Sequence, residues 1–357
     1  MIEIDFENLR GIGLTPWLVN QLGTLRETAP PAALLARVVQ TQRESYVLDD
    51  GHELRAGRAL GPLARELQAG QSSLTAGDWV LAQPDAQGAL WIALRIPPAT
   101  QIARRANDGR RQALASNVDT ALLTMGLDAD FNPRRMERYI ALVQACGVAP
   151  VVVLTKADIE PAARERAAEL RERLPAALPL RVVNGLSPAA RAELAPWLQP
   201  GHTLVLLGSS GAGKSTLTNT LTGAPLQPTG GVRAGDGRGR HTTTARFLHR
   251  LPEGACIIDT PGLRTWQPDA GSQALAASFD DVQALAGQCR FRDCRHEDEP
   301  GCAVRGAVDA DRLLNLRKLL RDAERGEQTP LERIAQRRKW KLLGKAGTDR
   351  ARQKRGW

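Results

Sequence analysis

Residues 208–216 contain the full phosphate-binding pattern G-x-x-x-x-G-K-[ST], followed by one further threonine. Glycines let such a loop turn tightly and direct backbone N–H groups at phosphate oxygens, and a helix that follows adds partial positive charge. The apolar residues 203–207 predict the strand before the loop, and residues 214–221 predict the helix after it. Lys214 is predicted to reach the β- and γ-phosphates as a catalytic residue, and Ser215 to bind Mg²⁺. The candidate phosphate-binding residues are Gly208, Ser209, Ser210, Gly211, Ala212, Gly213, Lys214, Ser215 and Thr216.

A second segment, 155–158, is close to the [N/T]-K-x-D pattern that binds guanine. The Asp158 carboxylate can accept hydrogen bonds from N1–H and the exocyclic amine of guanine, a pair of donors that adenine lacks. Lys156 would pack its aliphatic stem over the base. Apolar residues 151–154 predict a strand directly before it, and residues 183–185 are the candidate second guanine loop. The candidate guanine-binding residues are Thr155, Lys156, Ala157 and Asp158.

A third pattern, D-x-x-G, occupies residues 259–262. Asp259 is predicted to hold Mg²⁺ through water, and the Gly262 N–H to contact the γ-phosphate. Residues 230–246, between this pattern and the phosphate loop, are rich in Gly, Arg and Thr and predict a switch segment. Among its threonines we favour Thr243 as the residue that senses Mg²⁺.

The position after Gly262 holds Leu263, where Ras-like enzymes carry a glutamine that orients water. Leucine cannot orient water by hydrogen bonding, so another group must do so. His241 is the candidate for that catalytic role. The alternative, an exposed histidine of the switch segment without a catalytic role, stays open.

The order of the three patterns differs from that of a standard GTPase, in which the phosphate loop comes first and the guanine pattern last. Here the guanine pattern precedes the phosphate loop, and D-x-x-G comes last. This order predicts a circularly permuted GTPase.

A fourth group of residues has metal-ligand chemistry and the spacing C-x4-C-x-H-x5-C. Thiolates and a neutral imidazole form tetrahedral Zn²⁺ sites, and a short segment can fold around such a metal with little core. The alternative is a set of buried free thiols. The candidate zinc ligands are Cys289, Cys294, His296 and Cys302.

The elements that position these residues suggest several domains. Residues 1–32 are interpreted as a loose N-terminal extension, and residues 33–105 as an OB-type β-barrel of short strands without a long helix. After a basic linker around 104–111, strands and helices alternate, which predicts an α/β P-loop GTPase domain over 106–275 with a mostly parallel sheet. A helical zinc-binding domain with a basic tail is predicted over 276–357.

Composition narrows the class of partner. The formal charge of +9 and the isoelectric point near 9.8 favour polyanions, and residues 331–357 carry ten Lys and Arg against two acids, a net charge of +8. No apolar run approaches the roughly 20 residues that span a bilayer, so no membrane partner is expected. The first residues lack a signal-peptide pattern, and three of the five cysteines lie beside a histidine. We therefore expect a reducing, cytoplasmic compartment.

Together the permuted patterns, the segment 239–244, the Cys/His cluster and residues 117–119 resemble the RsgA (YjeQ) family of ribosome small-subunit-dependent GTPases. The resemblance covers nearly the whole chain. It implies an N-terminal OB-fold, a central permuted GTPase domain and a C-terminal domain with one structural Zn²⁺. It also implies Mg²⁺-dependent hydrolysis of GTP to GDP, stimulation by the 30S subunit, binding to 16S rRNA and a part in late 30S maturation. We expect a monomer.

Two other functions remain alternatives. The chain could be an RNA-binding ribosome-assembly module whose nucleotide site is mainly regulatory. An ATP-dependent kinase is disfavoured, because Asp158 is suited to guanine rather than adenine.

Overall fold

The computed structural model describes residues 4–25, 29–42, 45–70, 72–105, 111–226, 246–259 and 275–327. The chain divides into two compact units, Met1–Trp266 and Gln267–Trp357. Over the residues described, no helix combines the length and the apolar character that crossing a membrane requires.

Two short helices occupy the N-terminal region that the sequence suggested was a loose extension. Helix α1 spans Phe6–Arg10 and helix α2 spans Pro16–Thr24. Asp5 caps α1 and Thr15 caps α2, and Pro16 follows its cap at the first helical position, where a missing N–H has no cost. The interpretation as a loose extension was therefore wrong for the described part of residues 1–32.

A closed five-stranded barrel follows these helices. Its strands pair in the order β1-β2-β3-β5-β4, and β4 returns to β1, so that no strand edge remains unpaired. Helix α3, Gly61–Ala69, lies between the third and fourth strands and buries Leu63 in the barrel core. The OB-type barrel is confirmed, but the sequence interpretation missed this nine-residue helix. The strands are β1 Leu34–Gln42, β2 Ser45–Asp49, β3 Leu54–Ala59, β4 Trp79–Pro84 and β5 Leu90–Arg95.

The N-terminal helices cover one outer face of the barrel. Alternate residues of β1 and β4 point to opposite faces of the sheet, as the period of a strand requires. Ala36 and Val80 lie in the barrel core, whereas Leu35 and Trp79 pack outside it against apolar residues of α1 and α2. Strands β1 and β4 are thus buried on both faces.

The basic segment after the barrel is a hairpin rather than a linker. Strand β6, Gln101–Arg105, pairs antiparallel with β7, Arg111–Ser116. Ile102, Ala113 and Leu114 are buried, so this basic sequence still supplies apolar side chains to the packing of a sheet.

The central sheet of the first unit has the order β10-β9-β8-β11-β13-β12. All neighbours are parallel except β12, which is antiparallel to β13. A single pair, Gln40 with Phe247, joins this sheet to the barrel. The strands are β8 Thr120–Gly126, β9 Ala149–Thr155, β10 Leu180–Val182, β11 Thr203–Leu207, β12 Phe247–Arg250 and β13 Cys256–Asp259.

Helices connect the parallel strands, as expected for an α/β domain. Helix α4, Pro133–Ala145, follows β8, and α5, Ala163–Arg173, follows β9. Helix α6, Ala189–Leu194, precedes β11, and α7, Lys214–Thr222, follows it. The apolar core lies between these helices and fully buried strand residues such as Leu122, Val153 and Leu206.

A buried arginine holds the barrel to the amino end of β11. Arg37 of β1 has no exposed surface, and its guanidinium lies 5.4 Å from the centre of the Trp79 ring. Nη1 donates to Thr203 Oγ1 at 3.0 Å. The other acceptors are the carbonyl oxygens of Ile12, Gly77 and Asn117. One side chain thus joins the turn after α1, the barrel, the chain before β8 and the strand that leads to the phosphate loop.

The second unit is helical around the Cys/His cluster. Helix α8 spans Asp280–Ala286 and helix α9 spans Ala310–Glu327. Arg312 of α9 makes two bonds to the Asp281 carboxylate, at 2.7 and 3.0 Å, and lies over the Phe279 ring. The basic tail at 331–357 lies outside the described residues.

Candidate nucleotide site and metal centre

Five parallel strands place their carboxyl ends, and the loops that follow them, along one edge of the central sheet. The chain runs outward from β8 through β9 to β10 on one side, and through β11 to β13 on the other. The border between β8 and β11 is therefore the point where strand order reverses, which is where open α/β sheets bind ligands. The phosphate loop follows β11 directly.

The phosphate loop has the geometry that its glycines suggest. A side chain at Gly208 would place a Cβ 2.2 Å from the Thr124 carbonyl oxygen, so only glycine fits against β8. Gly213 adopts φ of 89° as the N-cap of α7, and no side chain caps that helix. A helix N-terminus of this kind favours an anion through its backbone N–H groups and its dipole. Lys214 Nζ donates to the carbonyl oxygens of Gly208 and Ser209 at 2.9 and 2.5 Å.

The guanine pattern touches the phosphate loop through Thr155. Its hydroxyl, on a side chain that is almost fully buried, donates to the Ala212 carbonyl oxygen at 2.8 Å. A Cβ at Gly213 would lie 3.2 Å from the same hydroxyl, so the two segments are in close contact. Lys156 has φ of 64°, and Asp158 is exposed at the end of the turn that follows. The structure thus brings the two predicted nucleotide motifs together.

The second guanine loop also lies beside the helix of the phosphate loop. Residues 183–185 follow β10, and Thr220 of α7 donates to the Gly185 carbonyl oxygen at 2.6 Å. The Asn184 side chain accepts from the Leu186 N–H at 2.9 Å. This arrangement leaves a concave edge bordered by β9, β10 and α7.

Two acidic residues that the sequence interpretation missed lie at the same edge. Residues 126–131, here called the acidic loop, begin at the last residue of β8. Asp128 accepts from Lys156 Nζ at 2.7 Å, and this bond lowers the pKa of the Asp128 carboxyl although partial burial acts to raise it. Asp130 accepts from the Ser209 hydroxyl, 2.6 and 2.7 Å from its two oxygens. The sequence signal that could have identified these two residues is the G-x-D-x-D pattern at the end of a predicted strand.

The residues predicted to act around Mg²⁺ are described only in part. Ser215 lies in the first turn of α7, and Asp259 ends β13, the parallel neighbour of β11. Both therefore lie at the carboxyl edge. The predicted residues Gly262, His241 and Thr243, together with Leu263, lie outside the described residues.

The second unit brings the four predicted metal ligands together. Their ligand atoms all lie within 4.8 Å of one another. His296 Nδ1 lies 3.6 Å from Cys289 Sγ and 3.4 Å from Cys302 Sγ, and the two sulfurs are 4.0 Å apart. Metal–sulfur bonds of about 2.3 Å give tetrahedron edges of about 3.8 Å, so these separations suit a Zn²⁺ ion. The cluster can bind a metal.

Hydrogen bonding prepares one of these thiols for metal binding. Burial acts to raise the pKa of the Cys302 thiol, but bonds from the Arg305 N–H and His296 lower that pKa to about 7. The thiolate is the form that binds metal. The Cys294 thiol has the opposite shift, since burial and the neighbouring thiols raise its pKa to about 11.

The fold and the site define a circularly permuted P-loop GTPase. A family model described as RsgA GTPase matches residues 96–269. A relative from Xanthomonas oryzae pv. oryzae (strain MAFF 311018), named "Small ribosomal subunit biogenesis GTPase RsgA", is 47% identical and covers 96% of each chain. A relative of the same name from Xanthomonas axonopodis pv. citri (strain 306) is 45% identical over 97% of each chain. The chain therefore belongs to the RsgA GTPase family, as the sequence predicted, and is a GTP hydrolase.

Two solved structures share the fold. YjeQ from Thermotoga maritima aligns with a TM-score of 0.62 and 21% identity, covering 82% of this chain and 98% of that one. YloQ, described as a circularly permuted GTPase, aligns with a TM-score of 0.60 and 19% identity, covering 83% and 97% of the two chains. The predicted permuted architecture is confirmed.

Proposed function

We propose that this GTPase acts in biogenesis of the small ribosomal subunit, hydrolysing GTP to GDP and phosphate with stimulation by that subunit. The relatives that match nearly the full chain carry this role in their names. The structural observation that carries the nucleotide part is the bond from the Thr155 hydroxyl to the Ala212 carbonyl oxygen, because it unites the guanine motif with the phosphate loop.

The nucleotide-binding roles follow from position at the carboxyl edge. Backbone N–H groups of 208–213 and the open N-terminus of α7 hold the phosphates, and Lys214 moves from its loop carbonyls to the β- and γ-phosphates. Asp158 accepts from the guanine edge while the stem of Lys156 packs on the base. Phosphoryl transfer to water needs little covalent chemistry from the protein, so these groups act by positioning and charge.

Magnesium and zinc have separate roles in this proposal. Mg²⁺ neutralises phosphate charge, and the Ser215 hydroxyl and Asp259 carboxylate would hold it. One Zn²⁺ would be held by Cys289, Cys294, His296 and Cys302 and would stabilise the second unit. Gly262, Thr243 and His241 stay predictions for the γ-phosphate contact, the magnesium contact and the orientation of water.

The partners in the proposal are the 30S subunit and its 16S rRNA. The net charge of +9 supports binding to an RNA phosphate backbone, and the basic tail at 331–357 supplies most of that charge. We propose a cytoplasmic monomer without a membrane partner, since ribosomal subunits are assembled in that compartment in bacteria.

Hydrolysis of GTP and ATP by zinc-replete protein, with and without purified 30S subunits, tests the proposal. We expect slow GTP turnover alone, faster turnover with subunits, little ATP turnover and one zinc per chain. Asp158→Asn should shift the preference from guanosine to xanthosine nucleotides, because an amide reverses one donor–acceptor pairing. Unchanged GTP turnover on adding subunits would refute stimulation, and unchanged GTP affinity of Asp158→Asn would refute the base assignment.

Lys214→Ala separates the GTPase from the RNA-binding module. If the Lys214→Ala variant binds RNA normally but fails in subunit assembly, the unaltered protein acts as a GTPase in assembly. Normal assembly with this variant would favour the module instead.

A further inference from the structure

The acidic loop touches both halves of the nucleotide site. Asp128 binds Lys156 of the guanine motif, and Asp130 binds Ser209 of the phosphate loop. Gly126 makes this possible, since a Cβ there would lie 2.4 Å from the Asp128 carboxylate and 3.3 Å from Lys156 Cδ. A side chain at position 126 would therefore displace the Asp128 carboxylate from its present position beside Lys156.

Asp130 is held firmly on the side away from Ser209. Its side chain is 13% exposed, and it accepts from the Gly126 N–H at 3.2 Å. Arg135 of α4 donates to the same carboxylate at 2.5 Å and supplies a compensating positive charge. A desolvated, neutralised carboxylate with a fixed orientation makes a strong acceptor for the Ser209 hydroxyl.

Ser209 lies between two charged groups. Its carbonyl oxygen accepts from Lys214 Nζ, and its hydroxyl donates to Asp130. When Lys214 turns to the nucleotide phosphates, that carbonyl loses its partner. The Asp130 contact then becomes the main side-chain restraint on this end of the phosphate loop, so it counts most in the nucleotide-bound state.

We propose that Asp130 is a positioning residue that holds the phosphate loop through Ser209, and that the acidic loop thereby couples the guanine motif to the phosphate loop. This inference rests on the proposed GTP-binding function. Without the Ser209 bond, residues 208–210 sample orientations in which their N–H groups miss the phosphates. Nucleotide affinity falls as a result, while the chemistry of the bound complex changes less.

Ser209→Ala tests the proposal while leaving the Gly126 and Arg135 bonds of Asp130 in place. We expect the Kd for GDP and the KM for GTP to rise about tenfold, as for a lost bond to a charged acceptor, with a smaller change in kcat. Ser209→Thr, which keeps the hydroxyl, should restore affinity. Asp85→Asn is the matched control, because Asp85 also holds a loop with three hydrogen bonds but lies in the barrel.

A double-mutant cycle with Asp130→Ala shows whether Asp130 acts through Ser209. The Kd of the double variant for GDP should be no higher than that of the single variant with the higher Kd. A purely structural Asp130 would instead lower the melting temperature without changing the Kd of the folded protein, and that result overturns the proposal. Wild-type GDP affinity in Ser209→Ala overturns it as well. Failure of the unaltered chain to bind GDP would overturn the proposed function and this inference together.

Discussion

The carboxyl end of strand β11 is built from residues that are neighbours in the sequence, whereas its amino end is built from residues far apart along the chain. At the carboxyl end, Gly208, Gly213 and Lys214 form the phosphate loop within a few residues of one another. At the amino end, Thr203 meets Arg37, which also binds the carbonyls of Ile12 and Asn117. The first end is a local motif and the second is a tertiary junction.

The two ends of β11 differ in burial, and this difference separates the residues that stabilise the fold from those that act on the nucleotide. The junction is fully buried, so losing a polar partner there leaves unsatisfied groups without access to water. The phosphate loop is partly exposed, and its lysine bonds to part-buried loop carbonyls. Substitutions at the amino end should therefore change the free energy of unfolding, and those at the carboxyl end should change nucleotide binding and turnover.

Arg37→Met should have the largest effect on stability. The Thr203 hydroxyl and two carbonyl oxygens lose their donor, whereas the Gly77 carbonyl oxygen keeps a bond from Asn117 Nδ2. At about 1–3 kcal/mol for each unsatisfied group we expect a loss of roughly 4 kcal/mol in the free energy of unfolding. Urea unfolding of nucleotide-free protein measures it. Arg181→Met is the control, since Arg181 also lies 5.4 Å from a tryptophan ring, that of Trp197, but is part-exposed.

The control variant should lose less than about 1 kcal/mol. A stable Arg37→Met protein with weakened GDP binding would contradict the division between the two ends.

Lys214→Ala should have the next largest effect, on catalysis. Removing a charge that contacts the transferred phosphoryl group should slow GTP turnover by roughly 10²–10³-fold. The free energy of unfolding should change by less than about 1 kcal/mol, because the loop carbonyls that accept from the lysine are part-buried and can be hydrated when it is removed. Lys318→Ala, at an exposed position of α9, should change neither quantity. A fall in the free energy of unfolding that parallels the fall in GTP turnover would contradict the division between the two ends of β11.

Two buried threonines, one at each end of the central sheet, allow the same substitution to be compared at both ends. Thr155 and Thr203 are both buried, and each hydroxyl makes a bond at one end of the central sheet. Valine has the same shape, so each Thr→Val change should lower the free energy of unfolding by about 1 kcal/mol. Only Thr155→Val should also weaken GDP binding, by about fivefold, measured by calorimetry. Equal GDP affinities in the two variants would show that the Thr155 bond does not serve the nucleotide.

The smallest expected effect is a pH dependence of the free energy of unfolding, which arises from His249 of β12. Burial lowers the pKa of His249 below its ordinary value of 6.5, so the folded chain binds fewer protons than the unfolded chain in this range. Stability from this residue is therefore present above about pH 6.5 and is lost as the pH falls below it. Urea unfolding between pH 5.5 and 7.5 should show a fall of under about 1 kcal/mol that His249→Phe abolishes.

Features with a local cause were predicted well from the sequence. The structure contains the strands predicted before Thr155 and Gly208 and brings the four candidate metal ligands together, because each feature is set by spacing over a few residues. Helix α2 was missed although Thr15-Pro16 is a normal start for a helix, with a capping hydroxyl and proline at the first position. Its apolar residues are explained only by the barrel face on which Leu18 and Leu22 pack.

Features with distant causes were not predicted. Asp130 looks like an ordinary loop acid until the fold brings it to Ser209, 79 positions further along the chain. Arg37 reads as a charged strand residue, yet it is fully buried because four acceptors from separate segments surround it. No periodicity within β1 carries that information.

The order of the nucleotide motifs and the spacing of the candidate metal ligands can be read from the sequence alone, and Asp158 alone carries the prediction of a guanine preference. These depend on short-range backbone geometry and on the donors and acceptors of single side chains. Only the tertiary structure decided how the barrel is joined to β11 through Arg37 and how the acidic loop joins the guanine motif to the phosphate loop. Those contacts depend on burial and on the packing of remote segments, which no local pattern encodes.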